Sequence, residues 1–287
     1  PWTHAGLECA DGLWSMRQHG LIPRWTHGFL TSVDVPYRPW APRAVDQLGA
    51  IQILLELEPL LAELHVVGSP GHWAEPGHWA ELSAGLGQGP PRRLRRLLFH
   101  GLPPKLPELG ELPRRFPAVH TLWLLGHDKL RSGHLRWPGL RRLRLRHGRT
   151  SEWSEGNVDL RLELPELVEL DLATPVGSRT GEREILGVVE TLLGLPSVEH
   201  LRLSPVGSDL AAALLPSAVL DRLRSLDLDK VRGSALDRLL AHVDRLRGLE
   251  RLRVSVTAVV AEQRAGVLAQ LRGELAKFQL VVGARGS

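Results

Sequence analysis

The segment WPGLRRLRL, at residues 137–145, has the pattern apolar-Pro-x-Leu-x-x-Leu-x-Leu. The same skeleton recurs three times elsewhere, at residues 116–124, 164–172 and 195–203. Looser copies keep the spacing of the apolar residues and occupy residues 58–66, 91–99, 220–228 and 246–254. The seven steps from the first copy to the last average about 27 residues, a period at which each unit forms one supersecondary element and stacks on its neighbours.

Within each copy, the last leucines alternate with other residues. Alternation with a period of two is typical of a β-strand that buries one face. Strands of successive units would lie side by side, with their leucines in one core and the intervening residues on the opposite face. The chain has 43% hydrophobic and 24% charged residues, which is ordinary for a soluble protein. We therefore predict an α/β fold built on a parallel sheet.

The leucine spacing and the repeat length resemble those of leucine-rich-repeat proteins, and the resemblance covers residues 58–282. The longer units, with room for a strand and a helix, are similar to bacterial members of the ribonuclease-inhibitor-like subclass. This resemblance implies a solenoid with a curved parallel sheet and helices outside it. We expect irregular short repeats in the first half of the chain and helical repeats from residue 164 onward.

The chain departs from that family at the turn after each strand. The family usually places Asn or Cys three positions after the last strand leucine, where the side chain holds the turn. The eight residues at those positions here are Ser69, Leu102, His127, Gly148, Pro175, Val206, Val231 and Thr257. An asparagine ladder is therefore excluded, and the turns must be held in another way.

We divide the chain into a cap and an array. Residues 1–57 do not repeat and are predicted to form an N-terminal cap with a helical segment, a strand at 28–35 and a helix at 44–57. Such a cap would pair with the otherwise exposed edge of the first repeat strand. Residues 58–287 are predicted to form about eight repeats and a final capping strand at 278–282.

Four helices are predicted between the later strands, at residues 182–193, 209–215, 236–246 and 261–277. Ser208 and Ser234 are the predicted N-caps of the second and third helices, because a serine hydroxyl can accept hydrogen bonds from free helix N–H groups. Asp237 follows Ser234 by three residues, as in a capping box.

The residues between the strand leucines define the predicted functional face. In the second half they alternate in charge, which we interpret as a ladder of ion pairs; its members are Arg144, Asp171, Arg202, Asp227 and Arg253. In the first half, outward-facing apolar residues, among them Val67, lie beside arginines. The predicted partner-binding residues are Leu98, Trp123, Leu125, Arg96, Arg142, Arg144 and Arg146.

Two interpretations of this first-half patch stay open. Tryptophan and arginine are enriched in binding hot spots, and an exposed apolar cluster is typical of a surface that a partner covers. Alternatively, the N-terminal segment or the loop with Trp73 and Trp79 folds over the patch. That loop contains a tandem duplication, GHWAE at 71–75 and again at 77–81.

No catalytic or metal-binding pattern is found. The sequence lacks a phosphate-binding Gly-x-x-x-x-Gly-Lys loop, a Gly-x-Ser-x-Gly elbow and a His-Glu-x-x-His pair. The two histidines of the duplication, His72 and His78, are six residues apart, a poor spacing for two ligands on one helix face. Asp227 and Asp229 could face a cation, but arginines flank them. We predict no catalytic residue, no metal, no cofactor and no small-molecule substrate.

The charge and the cysteine content indicate which classes of partner and which cellular compartment to expect. The net charge is +4 and the pI is about 9.8, yet 32 acidic residues are interspersed among the arginines and would repel phosphate, so nucleic acid is disfavoured. The absence of an apolar run of about 18 residues argues against a membrane span. A single cysteine, Cys9, favours a reducing, cytoplasmic location. The start lacks Met and a signal region, which indicates an internal start.

We therefore expect a non-catalytic protein–protein interaction or scaffold module that binds a protein partner on the concave sheet face. A nucleic-acid-binding solenoid that uses the concave-face arginines is the first alternative. The recognition part of a larger effector or enzyme is the second.

Overall fold

The computed structural model describes residues 22–26, 29–37, 51–52, 55, 61–68, 84–89, 92–102, 112–126, 132–147, 159–173 and 182–283. Eleven strands form one sheet in the order β1-β2-β3-β4-β5-β7-β9-β10-β11-β12-β13. Their bounds are β1 Ile22–Thr26, β2 Phe29–Tyr37, β3 Glu63–Gly68, β4 Arg96–Leu102, β5 Thr121–Gly126, β7 Arg142–His147, β9 Glu169–Ala173, β10 His200–Ser204, β11 Ser225–Leu228, β12 Arg251–Thr257 and β13 Phe278–Gly283. The ten strands from β2 onward are parallel, and only β1 is antiparallel to its neighbour. The predicted α/β fold with a large parallel sheet is confirmed.

All eight predicted repeat strands are strands of this sheet, and their apolar residues are in register. One row across the sheet consists of Leu64, Leu97, Leu122, Leu143, Leu170, Leu201, Leu226 and Leu252. Every member of this row is buried, with at most 2% of its surface exposed. Burying one such side chain contributes about 1.5–3 kcal/mol, so the row fixes which way each strand faces.

Helices lie between the strands of the second half. Eight helices have both ends within the described residues: α1 Leu112–Arg115, α2 Glu182–Leu193, α3 Ser208–Leu214, α4 Val219–Arg222, α5 Gly233–Ala241, α6 Val243–Leu246, α7 Ala258–Gln263 and α8 Ala265–Glu274. Their apolar residues belong to the same buried cluster as the strand leucines, for example Leu210 of α3 and Leu236 of α5. The helix at 182–193 has the predicted bounds. The helices predicted at 236–246 and 261–277 are each divided in two, near His242 and Arg264.

The predicted N-caps Ser208 and Ser234 are wrong. Gly207 is the N-cap of α3 and Arg232 is the N-cap of α5, and neither helix start has a side-chain capping hydrogen bond. The cause is the turn before each helix, where Val206 and Val231 form a parallel β-bridge. Each cap residue directly follows one of these paired valines, and its backbone is therefore extended. The helix then begins at the next residue, Ser208 in α3 and Gly233 in α5.

The same bridge shows how turns without asparagine are held. Val206 and Val231 are buried at two of the eight turn positions. The amide of Val231 donates to the carbonyl of Ser255 at 2.8 Å, and the amide of Arg232 donates to Val206 at 3.0 Å. At a third turn position, the hydroxyl of Thr257 accepts from the amide of Val260 and caps α7. The turn positions 69, 127, 148 and 175 lie outside the described residues.

Arginines also connect successive helices. Arg222 donates to the carbonyl of Leu192, near the C-terminus of α2. Arg245 donates to the carbonyl of Leu215, after α3, at 2.6 Å and to the carbonyl of Ser217 at 3.1 Å. The last carbonyls of a helix have no partner inside the helix, and a cation there also interacts favourably with the helix dipole.

The short repeats contain a second, two-stranded sheet that the sequence pattern did not predict. Strand β6 (Ser132–Arg136) pairs in parallel with β8 (Asp159–Glu163). Leu135 of β6 is fully buried in the main core. A strand rises about 3.3 Å per residue, against 1.5 Å for a helix, so a 21-residue repeat can cover its core with a strand.

The described part of the predicted N-terminal cap contains the strands β1 and β2 and three helical residues. The strand predicted at 28–35 is β2, which pairs in parallel with β3, while the antiparallel β1 was not predicted. Ile51 and Leu55 are helical and buried. The remainder of the helix predicted at 44–57, and residues 1–21, lie outside the described residues.

Candidate functional site

The residues between the strand leucines share the other side of the sheet, which we call the open face. Two of its rows cross β4, β5, β7, β9, β10, β11 and β12 in register. One row consists of Arg96, Thr121, Arg142, Glu169, His200, Ser225 and Arg251; the other consists of Leu98, Trp123, Arg144, Asp171, Arg202, Asp227 and Arg253. The rows deduced from the sequence are therefore correct.

The structure brings all seven predicted partner-binding residues together on three adjacent strands. We call this set the Arg–Trp patch: Arg96 and Leu98 of β4, Trp123 and Leu125 of β5, and Arg142, Arg144 and Arg146 of β7. These strands contribute four arginines and no acidic residue to the open face.

Trp123 lies at the centre of the Arg–Trp patch between two guanidinium groups. The guanidinium carbon of Arg144 is 4.3 Å from the centroid of the indole ring, and that of Arg96 is 5.7 Å from it. Both distances are within the range of a cation–π attraction, which contributes about 0.5–1 kcal/mol at an exposed site. The half-buried ring is therefore held in place before any ligand arrives.

One carboxylate serves two of these arginines. Nε and Nη2 of Arg146 donate to Oδ1 of Asp171 at 3.1 and 3.0 Å, an arrangement that fixes both side chains. Nε of Arg144 is buried and lies 2.7 Å from Oδ2 of Asp171, while the Arg144 side chain as a whole is 30% exposed. The Asp171 side chain is only 7% exposed. Two positive charges thus face a single buried negative charge.

The other two arginines pair with carboxylates of the flanking strands. Arg96 lies 2.8 Å from Glu63 of β3, and Arg142 lies 3.2 Å from Glu169 of β9. Arg142 and Glu169 are both well exposed, so salt and water screen their attraction. The pair of Arg142 and Glu169 can therefore exchange partners at small cost.

An apolar strip adjoins the charged groups. Leu98 and Leu125 are half-buried, and Val67 of β3, beside β4, is 37% exposed. These three apolar side chains thus lie side by side on the open face. The loop with Trp73 and Trp79, which could cover the strip, lies outside the described residues, as does the histidine pair His72 and His78.

The basic character of the patch extends to its edge at His120. Burial lowers the pKa of His120 below 6.5, and the positive charges of the four nearby arginines lower it further. The four are Arg142, Arg95, Arg96 and Arg141. His120 is therefore neutral near pH 7, and the local potential is positive.

In the second half, the open face carries the predicted ladder of ion pairs. Arg202 lies 3.9 Å from Asp227 and 3.6 Å from Asp229, and Arg253 lies 3.2 Å from Asp227. Three of the four predicted neighbour pairs therefore lie within 4 Å, namely Arg144–Asp171, Arg202–Asp227 and Arg253–Asp227. No ion pair joins the described residues Asp171 and Arg202, so the ladder is interrupted between β9 and β10.

Asp229 is held in its charged form. Burial raises its pKa, but hydrogen bonds from Ser255 and Ser204 and the charges of Arg202 and Lys230 together bring the pKa below 3.8. Its charge is thus balanced by arginine and hydroxyl groups rather than left for a cation. No group of three or more potential metal ligands occurs among the described residues.

Sequence inspection missed one polar pair on the open face, although the register would have revealed it. Nδ1 of His200 lies 2.8 Å from Oγ of Ser225 on the next strand. A serine nucleophile also needs a group that orients the imidazole and donors for an oxyanion. The neighbour of His200 in register, Glu169, is ion-paired with Arg142 instead. We interpret the pair as a cross-strand hydrogen bond.

Comparisons with known proteins gave no match: no protein-family profile, curated protein or solved structure is similar to this chain. Among the described helices, none has the length and apolar character needed to cross a membrane.

Proposed function

We propose that this chain is a leucine-rich-repeat solenoid of the ribonuclease-inhibitor-like subclass, and that it acts as a non-catalytic protein-interaction or scaffold module. Support for the solenoid comes from the eight repeat strands, which pair in parallel with equivalent residues in register. In such an array the side chains between the core residues form one continuous surface, and the protein partner docks there.

The observation that carries this proposal is the position of Trp123 between Arg96 and Arg144. A docking surface gains affinity when its anchoring side chains are already ordered, because binding then costs less conformational entropy. Tryptophan and arginine at the centre of an interface also contribute the most per residue. The apolar strip at Leu98 and Leu125 extends this anchor.

A second candidate is nucleic-acid binding, favoured by the three arginines of β7 and the basic edge at His120. Against it stand Glu63, Glu169 and Asp171 on the flanking strands β3 and β9, because a nucleic-acid backbone that crosses the strands would bring its phosphates close to these carboxylates. We therefore favour the protein partner.

The double variant Trp123→Ala and Arg144→Ala tests the proposal. Tagged wild-type and variant chains are incubated with lysate of the native host, and captured proteins are quantified by mass spectrometry. We expect at least a tenfold loss of the specific partner, because the variant removes both the indole and the guanidinium stacked on it. Arg253→Ala is the matched control, since Arg253 occupies the same row and has a similar exposure of 32% against 30%.

Two outcomes decide the matter. Equal partner recovery by the double variant, with circular dichroism showing an intact fold, would remove the docking proposal. A captured species that is nucleic acid, and whose recovery falls steeply with salt, would establish the second candidate instead.

A further inference from the structure

We propose that the partner segment bound by the Arg–Trp patch is an extended acidic peptide in which carboxylates alternate with apolar residues. This inference rests on the proposed docking function and adds the chemistry of the partner. It follows from the charge balance of the patch, from the spacing of its arginines and from the position of its apolar strip.

The charge balance comes first. Across β4, β5 and β7 the open face carries four arginines and no acid, and the compensating carboxylates come from flanking strands. At the centre, Arg144 and Arg146 share Asp171, which leaves one excess positive charge. The Arg144 side chain is 30% exposed, so its guanidinium group is accessible to a partner although it is ion-paired with Asp171. A carboxylate of a partner would complete this arrangement.

The spacing gives the acidic residues of the partner. Arg142, Arg144 and Arg146 are alternate residues of one strand, so their side chains recur about every 6.6 Å on the open face. Alternate side chains of an extended peptide have the same repeat. A peptide that runs along β7 can therefore present a carboxylate to each arginine, and charge-assisted hydrogen bonds of this kind are stronger than neutral ones.

The apolar strip gives the residues in between. Successive side chains of an extended peptide point to opposite sides. If the peptide lies flat on the open face alongside β7, its carboxylates point toward β7 and the side chains between them point toward β5 and β4. Trp123 and Leu125 lie on β5 and Leu98 lies on β4, about one and two strand spacings away. Apolar side chains at these positions of the peptide would cover the strip.

The test uses a fluorescein-labelled peptide of sequence Glu-Leu-Glu-Phe-Glu-Leu-Glu and fluorescence anisotropy with the full chain at physiological salt. We expect saturable binding. The peptide with Gln at every Glu position should bind at least tenfold more weakly, and so should the peptide with Ser at every apolar position. Equal binding of the Glu and Gln peptides would overturn the proposal, and so would undetectable binding of the Glu peptide.

Variants of the chain locate the site. Arg144→Gln and Arg146→Gln should each raise the Kd of the acidic peptide about tenfold. The matched control Arg253→Gln should leave the Kd unchanged, because Asp227 already faces Arg253 in the ladder. An equal loss in the control would show non-specific attraction to any arginine of the open face and would overturn the site.

A gain of affinity provides a result that mere loss of structure cannot produce. Asp171→Asn removes the carboxylate that competes with the peptide and should lower the Kd several-fold. Asp171 is buried, so its substitution can prevent folding. Glu169→Gln changes an exposed carboxylate that pairs with Arg142, and it should also lower the Kd. Unchanged or higher Kd values in correctly folded chains of both variants would overturn the proposal.

Other occupants of the patch give distinct results. Single-stranded DNA that displaces the peptide as effectively as unlabelled peptide does would overturn the proposal in favour of a polyanion site. If the peptide binds only to the chain with Trp73→Ala and Trp79→Ala, the chain's own loop occupies the patch, and this result also overturns the proposal. If the acidic peptide does not bind while partner capture still depends on Trp123 and Arg144, the docking function is supported and only the proposed acidic character of the partner is rejected.

Discussion

The two halves of the sheet have one core and two different open faces. From β3 to β7 and from β9 to β12, the same leucine row continues without a break in register. On the open face of the second half, arginines and aspartates alternate along one row and pair with each other. On the first half, arginines surround a tryptophan and depend on acids from flanking strands.

This difference teaches that core and surface are specified independently in such a sheet. Because side chains alternate between faces, a change at an outward position leaves the leucine row as it was. One half can then carry a neutralised surface while the other carries an excess of positive charge and an aromatic anchor. The following predictions test how far the halves share stability and how far they differ.

The largest effect is expected in the shared core. Leu143→Ala in the first half and Leu226→Ala in the second should each lower the free energy of unfolding by about 3 kcal/mol, because both remove a fully packed side chain. Urea denaturation measures both values. Leu193→Ala, at a position 45% exposed, should change stability by less than about 0.5 kcal/mol. A loss under about 1 kcal/mol for Leu143→Ala alone would break the picture of one continuous core.

A smaller effect is expected from the arginine that links successive helices in the second half. Arg245→Met should lower the free energy of unfolding by about 2 kcal/mol, since it leaves the carbonyls of Leu215 and Ser217 without a charged donor. The control is Arg238→Met on the exposed side of α5. Equal denaturation midpoints for Arg245→Met and wild type would show that packing alone holds these repeats together.

Next in size is the effect of Asp229, whose pKa is lowered in the folded state. The unfolded chain takes up this proton first as the pH falls, so the stabilisation is complete well above pH 3.8 and is lost below it. Asp229→Asn should cost about 1 kcal/mol at neutral pH, the value of a typical lost hydrogen bond, and progressively less as the pH falls through the folded-state pKa of Asp229. Thermal denaturation of both proteins across this range measures the difference. A constant difference at all pH values would contradict the assignment.

The smallest effect is expected at His120 in the first half. Its pKa is below 6.5 in the folded state, so protonation favours the unfolded chain and stability falls as the pH drops through 6.5. His120→Gln should make the denaturation midpoint less sensitive to pH between 7 and 5. Arg142→Gln removes one of the charges that lower this pKa and should reduce the sensitivity in part. The first half would thus lose stability as the pH falls below 6.5, and the second half, through Asp229, only below pH 3.8.

The sequence predicted the parts that depend on periodicity. The eight strands, the inward leucines, the outward rows and the helix at 182–193 all follow from residue spacing, which backbone geometry converts directly into faces. The candidate site was found in the same way, since Trp123 and Arg144 occupy equivalent positions of adjacent repeats. Its partner-binding role stays a prediction.

The failures concern features that depend on contacts between distant residues. Ser208 and Ser234 have the right chemistry for N-caps, but the bridge between Val206 and Val231 sets the helix starts instead. Strand β8 has the alternating sequence DLRLE, but neither β6 nor β8 belongs to a copy of the repeat skeleton, and their paired residues are 27 positions apart in the chain. Propensity is a local quantity, and tertiary contacts override it.

By itself, the sequence determined that the leucines form one buried row and which residues share the opposite face, because the geometry of a strand is the same wherever it occurs. Only the tertiary structure decided that Asp171 serves Arg144 and Arg146 together, and that two guanidinium groups enclose Trp123. Those arrangements depend on the directions that long side chains take across neighbouring strands. Spacing along the chain does not contain that information.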